Sequence, residues 1–246
     1  MRDFLRIAAI AKTIGGGDDG GGGGSNTAEV DALITRTASG EWKNDRVTKI
    51  ASYLFQSCFY ITSISFPNVE TVGKYAFNNC NQIPALNFPK CISVEDYAFK
   101  GCGSAKTAYF PLLETIGTSS FNCRVLEEIH APLVTSVGST AFDGCSMLKS
   151  IDFQQVGTIG ANAFRSCTLL ETFVNRKQDA VCTMANKYVF QSTPIESGTG
   201  FIYVPAALID SYKAATYWST YAAQFRAIED YTVDGTVTGA LDETKI

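Results

Sequence analysis

The residues of this chain best suited to chemistry are its eight cysteines, six of which recur at a nearly constant interval. The recurring cysteines, spaced by 22, 22, 21, 22 and 22 residues, are Cys58, Cys80, Cys102, Cys123, Cys145 and Cys167. Such a set of cysteines is compatible with three roles: disulfides, a metal centre, or buried thiols that pack as small apolar side chains. The chain contains no Cys-x-x-Cys pair, which zinc sites generally use. Because the six cysteines share one position of a repeat, we expect a ladder of reduced, buried thiols, with Cys91 at a further core position.

The single histidine is the next group with chemical potential. One imidazole excludes sites that need two, such as most catalytic zinc centres. His130 lies near Glu128 in the sequence and one repeat before Asp152, so a catalytic trio of these three residues is one alternative. No serine or cysteine nucleophile stands beside them, and a repeat surface offers no cleft that excludes water. The sequence therefore predicts a non-enzymatic protein without catalytic residues, metal or cofactor.

Composition narrows the function classes further. The chain has 246 residues, 46% of them hydrophobic and 18% charged, which is typical of a folded protein. Its net charge of −4 leaves no basic excess to neutralise phosphates, so we expect no nucleic-acid partner. No run of about 18 apolar residues predicts a transmembrane helix. Arg6 and Lys12 interrupt the apolar N-terminal stretch, so no signal peptide is expected.

A repeat explains most of the chain. The same period is followed by six phenylalanines, which are Phe55, Phe77, Phe99, Phe121, Phe142 and Phe164. Each unit carries a Leu-x-x-Ile-x-Phe segment that alternates like a strand with one buried face. A proline commonly ends that strand, a second extended segment and a glycine turn follow, and Ala-Phe-x-x-Cys forms a helical turn. No single unit can bury its apolar face alone, so the units must stack.

The full pattern, Ala-Phe-x-x-Cys-x-x-Leu-x-x-Ile-x-x-Pro-x-x-x-x-Ile-Gly-x-x-Ala-Phe, resembles the BspA-type leucine-rich repeat of bacterial surface proteins. The resemblance covers about residues 50–174. It departs from the pattern at Glu95, which replaces the turn glycine, at Ala105 and Ala108, which replace large core residues, and at Gln154, which replaces proline. The fold class predicted is an α+β solenoid, a right-handed leucine-rich repeat coil of about six 22-residue repeats with N- and C-terminal caps.

The rest of the chain is predicted to flank this solenoid. An amphipathic helix is expected over 1–14 and a glycine-rich linker over 15–27. An N-terminal cap follows over 28–50, the solenoid over 51–174, and a C-terminal cap over 175–230. Within the C-terminal cap, an aromatic group between Tyr203 and Phe225 is expected to form the capping core, with an exposed carbohydrate-stacking platform as the alternative. Residues 231–246 are a hairpin or tail, in which Asp234-Gly235 between β-branched pairs favours a type I′ turn.

The outward positions of the strand are where we expect binding. In Leu-x-x-Ile-x-Phe, the two residues beside the central apolar one point away from the core. Stacked over the coils, these positions form what we call the strand face, which consists of Ser63, Ser65, Ala85, Asn87, Thr107, Tyr109, Glu128, His130, Ser150, Asp152, Thr172 and Val174. Its candidate ligand-binding residues are Asn87, Thr107, Tyr109, Glu128, His130, Ser150 and Asp152. The alternative is that this surface is merely solvated.

Two functions fit these features. The first is an adhesion module that presents the strand face to a protein or glycan ligand on a cell surface, as the resemblance implies. The second is a structural or receptor-binding component of a phage or prophage particle. In that case the N-terminal helix and its glycine linker would anchor the protein to an assembly partner at residues 1–25. Cell surface or virion is the expected location in either case.

Overall fold

A computed structural model describes residues 35–36, 41–233 and 236–237 of the chain. It confirms a solenoid of stacked repeats: each coil contributes a strand of two to four residues to one side and a two-residue strand to a second side. The predicted N-terminal helix, the glycine linker and about half of the N-terminal cap lie outside the described residues. The anchoring function built on residues 1–25 therefore stays a prediction.

The first side carries the strand face. Its strands are β1 Thr35–Arg36, β2 Glu41–Lys43, β4 Ser63–Ser65, β6 Ala85–Asn87, β8 Thr107–Tyr109, β10 Glu128–His130, β12 Ser150–Phe153, β14 Thr172–Asn175, β16 Phe201–Val204 and β17 Phe225–Ala227. They pair in parallel in the orders β2-β4, β6-β8-β10 and β12-β14-β16-β17, and β1 adds to β2 antiparallel. Equivalent residues of successive coils therefore lie side by side.

The second side is one continuous parallel sheet of seven two-residue strands. These are β3 Lys49–Ile50, β5 Thr71–Val72, β7 Ser93–Val94, β9 Thr115–Ile116, β11 Ser136–Val137, β13 Thr158–Ile159 and β15 Thr183–Met184. Glycine follows most of them because the coils approach closely there. A Cβ on Gly117 would lie 2.6 Å from the Asp96 nitrogen of the preceding coil. Glu95 departs from this glycine, and its carboxylate accepts the backbone N–H of Lys74 at 2.9 Å.

Columns of phenylalanine fill the core between the two sides. The rings of Phe55, Phe77, Phe99, Phe121, Phe142, Phe164 and Phe190 stack in sequence with centroids 5.0–5.6 Å apart. A second column at the strand ends contains Phe66, Phe88, Phe110 and Phe153, and Ala131 interrupts it. Edge-to-face contacts join the columns, such as Phe99 with Phe110 at 5.8 Å. The core thus consists of two adjoining columns of phenylalanine rings along the solenoid, and each ring depends on its neighbours for burial.

The six ladder cysteines are buried, and five of their thiols donate hydrogen bonds between coils. From the second ladder cysteine onward, each Sγ donates to the phenylalanine carbonyl of the preceding coil, as Cys80 does to Phe55 at 3.0 Å and Cys145 to Phe121 at 2.8 Å. The same carbonyl also accepts a backbone N–H from the cysteine of its own coil. The thiol therefore acts as a donor that links adjacent coils, in addition to filling space.

All eight cysteines are free and buried, and burial raises the pKa of the Cys80 and Cys91 thiols to about 12. Since the thiolate is the reactive form, we expect a maleimide reagent to modify the folded protein very slowly at pH 7. Unfolding in urea should release all eight thiols for rapid reaction, as counted by mass spectrometry. Rapid labelling of the ladder cysteines in the native protein would contradict the buried-thiol account.

The one short coil shows how a deletion is absorbed. Residues two positions after the core phenylalanine have positive φ, such as Asn79 at 60° and Gly101 at 75°. This is the residue that is missing between Asn122 and Cys123. There the Cys123 N–H donates to Phe121 at 2.6 Å across two residues, whereas the other ladder cysteines donate across three. The deletion thus removes the left-handed residue, and the turn tightens without displacing the phenylalanine or the thiol.

The C-terminal segment continues the core and then closes it. Phe190 stacks on Phe164, and Thr193 takes the place of the ladder cysteine, with its hydroxyl donating to the Phe190 carbonyl at 2.7 Å. The elements here are α1 Pro194–Ser197, the 3₁₀ helix Ala206–Leu208, α2 Ile209–Ala214 and the 3₁₀ helices Trp218–Gln224 and Ile228–Asp230. Strands β18 Thr232–Val233 and β19 Thr236–Val237 pair antiparallel, as a hairpin requires.

A buried polar group fastens this segment to the solenoid. Asn175 stands at a core position where most earlier coils have phenylalanine, and it is fully buried. Its amide donates to the Val156 carbonyl at 3.0 Å and to the Tyr212 hydroxyl at 3.1 Å. The same hydroxyl accepts the Cys182 N–H at 3.0 Å. The aromatic residues Tyr212, Trp218, Tyr221 and Phe225 are buried around it, which makes them capping core.

Candidate functional site

The strand face is built by parallel pairing in register. Thr107 pairs with Ala85 and Glu128, and Tyr109 pairs with Asn87 and His130. The alternation of the strands puts these residues outside and the intervening Leu86 and Ala108 in the core. Of the candidate binding residues, Asn87, Thr107, Glu128, His130, Ser150 and Asp152 are exposed and Tyr109 is partly exposed. The structure thus brings the candidates into two adjacent columns on one surface.

Tyr109 and His130 form the centre of this surface. Their rings stack at 5.2 Å between centroids with an interplanar angle of 11°. This is the geometry expected for registered residues of neighbouring parallel strands, whose backbones lie about 4.8 Å apart. A stacked pair of rings holds both side chains in fixed rotamers, so little conformational entropy remains to be lost when a ligand binds.

Asp152 is engaged by a residue that sequence reasoning missed. Arg176 donates from Nε to Oδ1 at 2.9 Å and from Nη2 to Oδ2 at 2.7 Å, which is a bidentate pair. The carboxylate of Asp152 raises the pKa of the Arg176 guanidinium. Arg176 occupies the position at which most coils have the strand-ending proline, and that substitution was the available signal. Because Asp152 is held in this ion pair, it is poorly placed to act as a base in a trio with His130 and Glu128.

Val174 corrects the sequence-based description of the face. Strand alternation predicts that Val174 points outward, but it is fully buried. The C-terminal segment returns over the outside of β14 and β16, where Tyr231 packs on Tyr203 at 4.8 Å between ring centroids. The Arg226 guanidinium lies 4.3 Å from the centre of the Phe201 ring on the same side. The open part of the strand face therefore ends near Asp152 and Arg176.

Apolar side chains border the open part of the face along both margins. Leu112 and Leu133 follow β8 and β10, directly after the strand-ending prolines, and Leu112 is 44% exposed. Val125, Met147 and Leu169 precede β10, β12 and β14 at one shared repeat position, and Met147 is 40% exposed. The Tyr109–His130 pair thus lies between two rows of partly exposed apolar residues.

Metal and membrane sites are not indicated in the part of the chain that the structure describes. Over residues 35–36, 41–233 and 236–237, no three histidine, cysteine or acidic side chains are grouped as metal ligands would be. Within the same residues, no helix combines the length and the apolar character needed to cross a bilayer.

Comparison with known families matches this architecture. A family model described as the BspA type leucine rich repeat region matches residues 48–171 and 94–201, in six copies. These two matches together cover more than half of the chain. The protein belongs to the BspA type leucine rich repeat family. The BspA-type repeats thus extend beyond residue 174. There Phe190 continues the phenylalanine column, and Thr193 stands where earlier coils have the ladder cysteine.

Solved structures of bacterial leucine-rich repeat proteins also resemble this BspA-type chain. One is a leucine-rich repeat protein from Bacteroides ovatus, with 22% identity and a TM-score of 0.46, covering 64% of this chain and 43% of that one. Another is a leucine rich cell surface protein from Faecalibacterium prausnitzii, with 17% identity and a TM-score of 0.40, covering 74% of this chain and 62% of that one. This chain spans less than two thirds of either protein. No curated protein matches it.

Proposed function

We propose that this protein is a non-enzymatic binding module that adheres to a protein on a cell surface through the open part of its strand face. The observation that carries the proposal is the stacked Tyr109–His130 pair, exposed at the centre of a registered strand surface. Aromatic residues at the centre of a patch are typical of the side chains that dominate protein–protein binding energy.

The surroundings of the pair favour a protein over a glycan as the ligand of this face. The partly exposed Leu112, Leu133 and Met147 can bury apolar area against a partner, while Thr107, Glu128 and Ser150 provide polar contacts between them. Protein interfaces combine an apolar, aromatic centre with a polar rim in this way. The Asp152–Arg176 pair adds a planar, charged edge that can fix the orientation of the partner.

The double variant Tyr109→Ala/His130→Ala tests the proposal. Binding partners are captured from cell-surface extracts, and the affinity of a purified partner is then measured by calorimetry. We expect the double variant to weaken that affinity at least tenfold, because truncating central aromatic residues typically costs about 2 kcal/mol or more. Its thermal midpoint should change little, since both side chains lie outside the core.

A matched control lies on the other side of the solenoid. Thr115 and Thr158 are exposed in the seven-stranded sheet, so Thr115→Ala/Thr158→Ala also removes two outward side chains from parallel strands. This control should bind as the wild type does. Equal affinity of the wild type, the control and the double variant for the purified partner would overturn the proposal. The proposal would also fail if the partner were a glycan and the control and the double variant lost its binding equally.

A further inference from the structure

The strand face carries two carboxylates and no lysine or arginine. One of them, Asp152, is held by Arg176 in a bidentate ion pair. The other, Glu128, is exposed on β10. Among the described residues, no lysine, arginine or histidine nitrogen lies within 4 Å of the Glu128 carboxylate, and no hydrogen bond engages it. The open part of the strand face therefore presents one uncompensated negative charge.

The residues next to Glu128 explain why its charge is left uncompensated. Its predecessor Glu127 is paired, with Oε1 3.0 Å from the Lys106 ammonium of the preceding coil. Glu128 itself is in register with Thr107 of that coil, and Ser150 holds the equivalent position of the next one. Neither of these two side chains is charged. Two adjacent glutamates thus differ in one respect that matters for a partner: Glu127 has a cation and Glu128 has none.

The unpaired carboxylate lies beside the aromatic centre of the face. Glu128 and His130 are two residues apart on β10 and both point outwards, which separates them by about 6.6 Å along an extended strand. His130 is in turn stacked on Tyr109 at 5.2 Å between ring centroids. This combination suits a long basic side chain, because such a side chain packs its hydrocarbon stem on apolar surface and directs its charge to a polar group.

Arginine matches the two groups better than lysine does. A guanidinium is planar and donates two parallel N–H bonds to a carboxylate, and both carboxylate oxygens of Glu128 are available for this. Arginine also packs favourably on aromatic rings, whereas the lysine ammonium is a strongly hydrated point charge. The hydroxyls of Thr107 and Ser150, on either side of Glu128, can accept the remaining guanidinium N–H groups.

We propose that the strand face recognises an arginine side chain of its protein partner. The guanidinium pairs with Glu128, and the stem packs against the Tyr109–His130 pair. This inference rests on the proposed function and names the chemistry that the partner must present. A partner without a cation at this point would bury the Glu128 carboxylate unpaired, which is costly, so the carboxylate also selects against such partners.

The first test is Glu128→Gln, which removes the charge and keeps the size of the side chain. We expect calorimetry with the purified partner to show at least a tenfold loss of affinity, because the partner's guanidinium would then be buried without its counter-charge. Glu127→Gln is the matched control. It removes the neighbouring carboxylate, which is already paired with Lys106, and it should bind as the wild type does.

The second test modifies the partner instead of this chain. Treatment of the purified partner with phenylglyoxal, which modifies arginine, should weaken its binding to the wild type at least tenfold. Acetylation of the partner's lysines should leave the affinity unchanged. Loss of binding on acetylation, with the phenylglyoxal-treated partner still bound, would assign the contact to lysine and overturn the proposal.

The two proposals for the strand face fail in different ways. If Glu128→Gln binds as the wild type does while Tyr109→Ala/His130→Ala loses the partner, the arginine contact is wrong and the proposed function stands. If neither variant changes the affinity, both proposals fail. If Glu127→Gln weakens binding as much as Glu128→Gln does, the effect is one of overall charge, and the specific contact with Glu128 is overturned.

Discussion

Phe99→Ala is expected to destabilise the protein by about 3–5 kcal/mol, the usual loss for a buried phenylalanine. Phe99 is fully buried, with Phe77 and Phe121 stacked on its two faces at 5.4 Å and Phe88 and Phe110 packed against it at 5.5 and 5.8 Å. The cavity would adjoin coils on both sides. Since each coil is stabilised mainly by its neighbours, several should unfold together. Urea unfolding followed by circular dichroism measures the loss.

Phe59 offers a matched control for that substitution. It follows the first ladder cysteine and is 53% exposed, so Phe59→Ala removes the same group from the surface. We expect a change within about 0.5 kcal/mol, as is usual for surface substitutions. If Phe59→Ala and Phe99→Ala cost the same, the continuous phenylalanine column would not be the principal source of stability.

Stability is expected to fall steeply above pH 9. Burial raises the pKa of the Cys80, Cys91 and Cys182 thiols from 9.0 to about 12, and the pKa values of Cys102 and Cys145 are raised well above 9.0. For Cys102 the largest cause is its hydrogen bond with Cys123, and for Cys145 it is burial. Between pH 9 and 12 the unfolded chain therefore binds fewer protons than the folded one. Stability is fully present below pH 9 and decreases as the pH rises.

The size of this alkaline effect follows from linkage. Each thiol that is ionised only in the unfolded state lowers the free energy of unfolding by about 1.4 kcal/mol per pH unit. Five such thiols give about 7 kcal/mol per unit, which is comparable to the whole stability of a typical domain at about 5–15 kcal/mol. We expect urea-unfolding free energies at pH 7 and 8 to be similar, to be lower by about 2 kcal/mol at pH 9, and to collapse by pH 11.

A cysteine variant separates the thiols from other alkaline effects, including the buried Tyr212 hydroxyl, whose pKa burial raises to about 12. Cys80→Ala is less stable at every pH because it leaves a small cavity, but its slope above pH 9 should be shallower by about 1.4 kcal/mol per unit. An unchanged slope, or a stability that stays flat between pH 9 and 11, would show that the thiols do not titrate as buried groups.

The repeated core was predictable because its signal is periodic. Phe55 to Phe164 and the ladder cysteines recur at one interval, and stacking brings equal positions together whatever the details of the coil. The hydrogen bond from the Cys80 thiol to the Phe55 carbonyl was not predictable, since it depends on where the preceding coil directs that carbonyl. Phe190 was missed as a core residue because an enlarged coil places it 26 residues after Phe164 and its cysteine is replaced by Thr193.

The outward residues of the strand face were predictable where strand alternation alone decides their exposure. They were not predictable where a segment distant in sequence folds back over the strand. Tyr109 and His130 stack because their coils are in register, which the repeat implies. Val174 follows the same alternation but is buried, because the segment containing Tyr231 folds back over it. Arg176 reaches Asp152 from beyond the end of β14, a contact that no periodic pattern indicates.

The most direct test of the strand face is hydroxyl-radical footprinting with the captured partner. Tyr109 and His130 are oxidisable and accessible, while Phe59 and Tyr217, 53% and 40% exposed, belong to neither column of the strand face and serve as internal references. Our account predicts that partner binding suppresses oxidation of Tyr109 and His130 severalfold and leaves both references unchanged. Protection of Phe59 or Tyr217, with Tyr109 and His130 oxidised as in the free protein, would contradict it.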